Sequence, residues 1–224
     1  MSRVHLLLAR CCSGLIAVLF VVLFVPMCSA QFKVSDNFSR PNGAVGAGWS
    51  TYGNGAQIAK KQVATFGQIF VGGGIYRKLD VTFPLKFSFF FSTASPALGG
   101  WEISFNAATA HAQNGVDDEE FGVAQPSGSG PVCIFYTNSG GAQCVAVASG
   151  QRDYTAKALI SGTVNADFST VITIKYNDGL APATVTVNTP APVGSPAPQG
   201  SLLLLGNISQ DPGPHNFDTL TLSF

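Results

Sequence analysis

The chain has 224 residues, 46% of them hydrophobic and only 11% charged, and its 12 Lys and Arg balance 12 Asp and Glu. Charged side chains fall below half the ~25% usual in a globular domain, so the surface has to be built from Ser, Thr, Asn, Gln and Gly. A chain this close to neutral carries no long-range attraction for nucleic acid or anionic membranes, and neither is an expected partner.

Residues 1–30 read as a secretory signal peptide. Arg3 and Arg10 supply the positive start, Gly14 to Met27 an apolar run, and Cys28-Ser29-Ala30 the small residues before a cut at Gln31. The run is shorter than the ~20 residues a membrane helix needs. Val25-Pro26-Met27 lacks the small residue that lipoprotein processing at Cys28 would want. The expected mature chain is therefore 31–224, one exported domain at the cell surface, in the periplasm or outside the cell, with no membrane insertion after cleavage. Cys11, Cys12 and Cys28 leave with the signal, and Cys133 and Cys144 remain. These two flank a segment with a Gly-rich centre that reads as a hairpin, and in an oxidising compartment they are expected to form a disulfide.

In chain order, Asp36-Asn37-Phe38-Ser39-Arg40-Pro41, followed by Gly48-Trp49, opens the fold. Gly72-Gly73-Gly74 is expected as a turn. From Leu79 to Phe91 apolar and polar residues alternate, with Pro84 as a bulge or edge position. Trp101, Ile103 and Phe105 then alternate with Glu102, Ser104 and Asn106. The same period of two runs through 171–176, 184–188 and 219–224, with turns at Asn177-Asp178-Gly179 and Pro212-Gly213-Pro214 and a Pro-rich loop over 190–201. Alternation of this kind marks strands with one buried and one wet face. The pattern predicts about a dozen short strands and no helix. The fold class is all-β, a two-sheet antiparallel jelly-roll sandwich whose first and last strands meet.

The opening Asp36-Asn37-Phe38-x-Arg40-Pro41 with Gly48-Trp49, the central Gly99-Gly100-Trp101-Glu102-Ile103-Ser104-Phe105 and the closing Asn216-Phe217-Asp218-x-Leu220-x-Leu222 resemble the concanavalin A-like lectin/glucanase superfamily, in particular its laminin G-like bacterial domains. The resemblance covers most of 32–224. It implies two antiparallel sheets and a concave sheet that often binds glycans, in a family of lectins, adhesion modules and glycoside hydrolases.

Laminarinase-like members of that superfamily carry a Glu-x-Asp-x-Glu run on one strand. Here the matching run is Glu102-Ile103-Ser104-Phe105-Asn106, with the right phase but one carboxylate. Retaining hydrolysis needs two carboxyl groups ~5–5.5 Å apart, so the reading leans away from an enzyme. Glu102, Ser104 and Asn106 are the candidate glycan ligands on the wet face, against the plain alternative of ordinary surface residues. Tyr136 and Tyr154, with Tyr52, are candidate sugar platforms, while Trp49 and Trp101 sit in apolar phase and are expected in the core. Asp117-Asp118-Glu119-Glu120 can offer oxygen ligands to Ca²⁺, though without EF-hand spacing, and a solvated loop explains them as well. Asp36 and Asp218 can join a site or make turn hydrogen bonds. Asn37-Phe38-Ser39 and Asn207-Ile208-Ser209 match the N-glycosylation pattern. The expected function is a secreted, non-catalytic carbohydrate-binding or adhesion module that takes a glycan or cell-surface polysaccharide on its concave face. The alternatives are a divergent glycoside hydrolase or polysaccharide lyase of the same fold and a structural extracellular or envelope protein.

Overall fold

The computed structural model describes residues 32–66, 72–94, 100–108, 121–127, 130–136, 142–147, 152–191, 200–207 and 213–224. The expected signal peptide lies outside the described residues. Fifteen strands and no helix make up the described chain, in two antiparallel sheets.

The eight-stranded sheet contains β1 (Lys33–Asp36), β3 (Ala56–Ala59), β4 (Gln62–Phe66), β6 (Leu85–Thr93), β11 (Ala158–Val164), β12 (Thr170–Lys175), β13 (Thr184–Thr189) and β15 (Pro214–Ser223). Its order is β13-β12-β11-β6-β15-β4-β3, with β1 also on β15. The seven-stranded sheet has the order β10-β9-β8-β7-β14-β5-β2. It is made of β2 (Ser50–Gly53), β5 (Gly73–Lys78), β7 (Trp101–Ala107), β8 (Phe121–Gln125), β9 (Val132–Tyr136), β10 (Ala142–Val145) and β14 (Leu202–Asn207).

The two ends of the described chain meet as the sequence predicts. Val34 pairs with Leu222, and Phe32 and Phe224 exchange backbone hydrogen bonds of 2.8 and 3.0 Å, with their rings in tilted contact at 5.3 Å. Strand β15 serves two neighbours on that side. Its first half pairs with β4 and its second with β1, and between them a bulge with Thr219 at φ 48° shifts the register against β6. A bulge inserts one residue and bends the strand, which is what a strand shared by two partners requires.

The motif Asp36-x-Phe38-x-Arg40 with Trp49 is a folding device. Asp36 accepts hydrogen bonds from the Phe38 N–H (2.8 Å) and Trp49 Nε1 (2.9 Å) and pairs with Arg40, whose guanidinium lies over the buried Phe38 ring. Burial works against the Asp36 carboxylate, but those three donors outweigh it and hold its pKa below the usual carboxylate range. Asp218 forms a 2.5 Å ion pair with Lys157. Asp36 thus makes a turn hydrogen bond and an ion pair, and Asp218 an ion pair.

Between the sheets lies one aromatic-rich core, with Phe89, Phe91, Trp101, Phe105, Phe121 and Phe217 all fully buried. Trp49 and Trp101 belong to it as expected. Two expectations need correction. Leu79–Phe91 is not one strand: β5 ends at Lys78 and β6 begins at Leu85, so Pro84, after a cis peptide bond, precedes the strand and is neither a bulge nor an edge residue within it. Gly73 and Gly74 are not a turn but the start of β5, and they are glycines because the space above them is taken. A Cβ on Gly73 would stand 2.8 Å from the Phe66 carbonyl oxygen, and one on Gly74 would stand 2.5 Å from Tyr52 Oη.

Candidate functional site

The candidate ligands Glu102 and Ser104 lie on β7, in the middle of the seven-stranded sheet, and face away from the core residues Trp101, Ile103 and Phe105. Register places one row across this outer face: Tyr52, Gly74, Gly206, Glu102, Ala124 and Cys133. The adjoining row includes Tyr76, Leu204, Ser104 and Gly122. Small residues floor the face and two tyrosines stand at one side. The Tyr52 ring lies across Gly74 and Gly206; a Cβ on Gly206 would come within 2.1 Å of Tyr52 Oη. Since Gly206 pairs with Glu102, the phenol reaches the strand next to the carboxylate.

The alternation in 101–106 predicts a wet face, and the structure departs from this. Glu102 is 1% exposed and Ser104 0%. Around them Tyr52, Ala107 and Leu204 form a second apolar cluster, with Tyr76 and Leu202 packed against it. The sheet is therefore covered on both faces here, and the Ser104 hydroxyl donates to Glu102 Oε1 at 3.1 Å. A buried carboxylate must be hydrogen-bonded to persist, and its neighbour two residues along the strand supplies one such bond.

Asn106 does not join the pair. It has φ 52° and sits at a bulge, where the register between β7 and β14 shifts. Its side-chain amide clamps Val81 instead, accepting from the Val81 N–H at 3.1 Å and donating to the Val81 carbonyl at 3.0 Å. The extra residue reverses the phase of the strand, which is why Ala107 belongs to the outer cluster.

Tyr154 is interior: it is 1% exposed, Trp101 Nε1 donates to its hydroxyl at 3.3 Å, and that hydroxyl donates to Gln125 Oε1. Desolvation raises its pKa well above that of a free phenol. The ring packs on Tyr176, over which Arg152 lies at 4.0 Å, and Arg152 pairs at 2.8 Å with Asp178, both side chains at 3% exposure or less. Burial opposes the Asp178 carboxylate, and the Leu180 N–H and the Arg152 charge still hold its pKa low. Sequence reasoning passed over this tyrosine, arginine and aspartate network, since its members come from separate segments. Strand β9 brings Tyr136 opposite Phe121.

Cys133 and Cys144 stand directly opposite on β9 and β10 and are disulfide-bonded, as the hairpin reading predicts. Asp117, Asp118, Glu119 and Glu120 lie outside the described residues. Among the described residues no group of three or more His, Cys, Asp or Glu could hold a metal. Asp36 and Asp218 are engaged by Arg40, Trp49 and Lys157, so the described side chains do not fit a calcium ion and no chemistry is derived through one. Of the two glycosylation patterns, Asn37 is exposed, whereas Asn207 is 1% exposed and its Oδ1 accepts from Thr65 Oγ1 (2.8 Å) and the Gly73 N–H (3.3 Å).

The two packed antiparallel sheets define the class: a concanavalin A-like jelly-roll sandwich. No family model and no curated protein matches the sequence. Solved structures do match in fold. One is the Ca²⁺/Man2-bound exoplasmic/lumenal domain of VIP36, at TM-score 0.55 and 7% identity over 85% of this chain and 86% of that one. An uncharacterized protein of Mycobacterium paratuberculosis, an Rv0315 ortholog, aligns at TM-score 0.52 and 12% identity over 84% of this chain and 99% of its own. A structure from work on endo-acting O-glycanases of human gut microbiota aligns at 0.54 and 11% over 84% and 97%.

Proposed function

We propose that the protein is an exported, non-catalytic carbohydrate-binding module, with residues 1–30 as its signal peptide. The outer face of the seven-stranded sheet is its glycan site. The observation that carries this is the two-sheet fold shared with a glycan-bound neighbour; the Glu102–Ser104 pair, at 1% and 0% exposure, lies beneath this face beside Tyr52, and a sugar reaches it only when the cluster over it moves aside. With that cover opened, the carboxylate accepts from sugar hydroxyls and the Tyr52 ring, 8% exposed in this structure, turns an apolar face to the sugar. The fold neighbours add support: the VIP36 domain is seen with Man2 and the Emp46p domain of the same fold is a carbohydrate recognition domain. Glu102 is the only carboxylate on this face among the described residues, which favours binding over hydrolysis. Calcium, if it takes part, would use Asp117–Glu120.

The test is a glycan array probed with residues 31–224, with Ca²⁺ and with chelator. A hit that Glu102→Gln with Ser104→Ala weakens by tenfold or more supports the reading. Unchanged binding by that double variant would overturn the site, and release of reducing ends from a bound polysaccharide would overturn the non-catalytic assignment.

A further inference from the structure

The outer face of the eight-stranded sheet is built quite differently. Ser35, Thr221, Ser88, Ser161, Thr173 and Thr186 stand directly opposite one another on six adjoining strands. With strands ~4.8 Å apart, this hydroxyl row runs ~24 Å across the sheet. The row on one side carries Lys33 and Lys86, two strands and thus ~10 Å apart. The row on the other carries Lys175 and, over the Phe90 ring at 4.5 Å, Lys157. Lys33, Lys86 and Lys175 are exposed and make no ion pair among the described residues. Asp218 is the only carboxylate on these rows and is bound to Lys157.

The mature chain as a whole is slightly acidic, since its 12 Lys and Arg lose Arg3 and Arg10 while all 12 acids remain. Four of its ten cations, Lys33, Lys86, Lys157 and Lys175, nonetheless lie on or beside these rows. Isolated exposed lysines attract little in water, but a polymer with regularly repeated negative groups meets several at once, and linked contacts multiply. Ser161 donates to the Thr173 carbonyl at 3.3 Å and the Thr173 and Thr186 hydroxyls bond each other at 3.2 Å, which leaves their remaining oxygen lone pairs to accept from a hydroxyl-rich partner. These rows hold no Arg and no open aromatic ring on which a nucleobase could stack, and Val171 is their one exposed large apolar residue, too little for insertion into lipid.

We propose that this face is a second glycan surface, which takes a linear acidic polysaccharide laid across the strands along the hydroxyl row. It does not depend on the Glu102 reading, because that site is on the opposite sheet and is tested with other variants.

Affinity electrophoresis of residues 31–224 in gels containing polygalacturonate, neutral dextran or single-stranded DNA tests it. Polygalacturonate is expected to retard the protein at low salt and to release it as ionic strength rises and the Debye length shrinks to ~8 Å. Lys33→Ser/Lys86→Ser/Lys175→Ser, with an unchanged melting temperature, should weaken retardation by tenfold or more. Ser161→Ala/Thr173→Val, which keeps every charge, should weaken it about fivefold per hydrogen bond lost. No retardation by polygalacturonate, equal retardation by dextran or by DNA, or a triple variant that behaves like wild type would each overturn the proposal.

Discussion

The two sheets face outward in opposite styles. Strands β6, β12 and β13 alternate buried and accessible positions throughout, and the residues that alternate outward are Ser, Thr, Lys and Asn apart from Phe90 and Val171. In the seven-stranded sheet β8 is buried along its whole length, β14 over all but its first residue and β7 over all but Asn106. One sheet has a core face and a water face; the other is packed on both across its central strands β7, β8 and β14. Position within the sheet therefore matters more than residue type. A serine on β6 or β11 is half-buried, while Ser104 on β7 is sealed and hydrogen-bonded to a carboxylate.

This difference is breakable by mutation. The largest effect is expected at Gly206→Val, where the new side chain meets the Tyr52 ring and the Gly73 backbone. Overpacking of this kind costs about 1–3 kcal/mol or more, whereas Thr173→Val on the open face should stay within about 0.5 kcal/mol. Urea midpoints of the two variants measure the contrast, and equal shifts would mean that both outer faces are equally tolerant.

Reducing the hairpin clamp comes next. The disulfide ties the edge strand β10 to β9 and closes a loop with a sequence separation of 11. Its loss in Cys133→Ser/Cys144→Ser should lower stability by about 2–3 kcal/mol. Hydrogen exchange should rise first in β9 and β10, with β12 and β13 little changed; uniform loss of protection would argue against a local clamp.

Acid should act more gently, and on the eight-stranded sheet before the other. Asp36 and Asp218 both have lowered pKa values: in each, desolvation is outweighed, by the Phe38 N–H, Arg40 and Trp49 at Asp36 and by Lys157 and Thr219 at Asp218. In the unfolded chain such groups titrate near ~3.9. Their contribution is thus complete above that value and is lost as pH falls through the folded-state pKa values, because the unfolded chain takes up protons first. Melting temperatures should be flat from about pH 7 to 5 and fall below about 4, and Asp36→Asn should flatten that acid limb. An unaltered limb in the variant would assign it to other carboxylates.

Much of the fold was legible in the chain because one sheet has a wet face. Where a strand separates core from water, as in 85–91, 170–175 and 184–189, the period of two is written directly into residue type. The cysteine pair was readable because hairpin register depends on a few local residues, and the meeting of Asp36 and Asn216 ends because both segments carry complete strand patterns. The candidate site was read less well. Glu102 and Ser104 have the phase of a solvated face, and nothing local tells that Tyr52, brought in by the far edge strand, lies across Gly74 and Gly206 on that side. Asn106 keeps the sequence phase but loses the spatial one at a bulge that only the pairing with β14 requires. Tyr154 lies in an extended stretch that could face either way until Trp101 and Gln125 close on it.

Low charge, alternation and a cysteine pair on one hairpin suffice to specify an all-β sandwich, because burying one face of each strand is a local, period-two constraint. Which faces are sealed and which are open was set by contacts between distant strands. Burial on the second face of a sheet, the phase change at a bulge and the alignment of six hydroxyls between lysines all arise from residues that meet across distant strands, and no local pattern encodes that meeting.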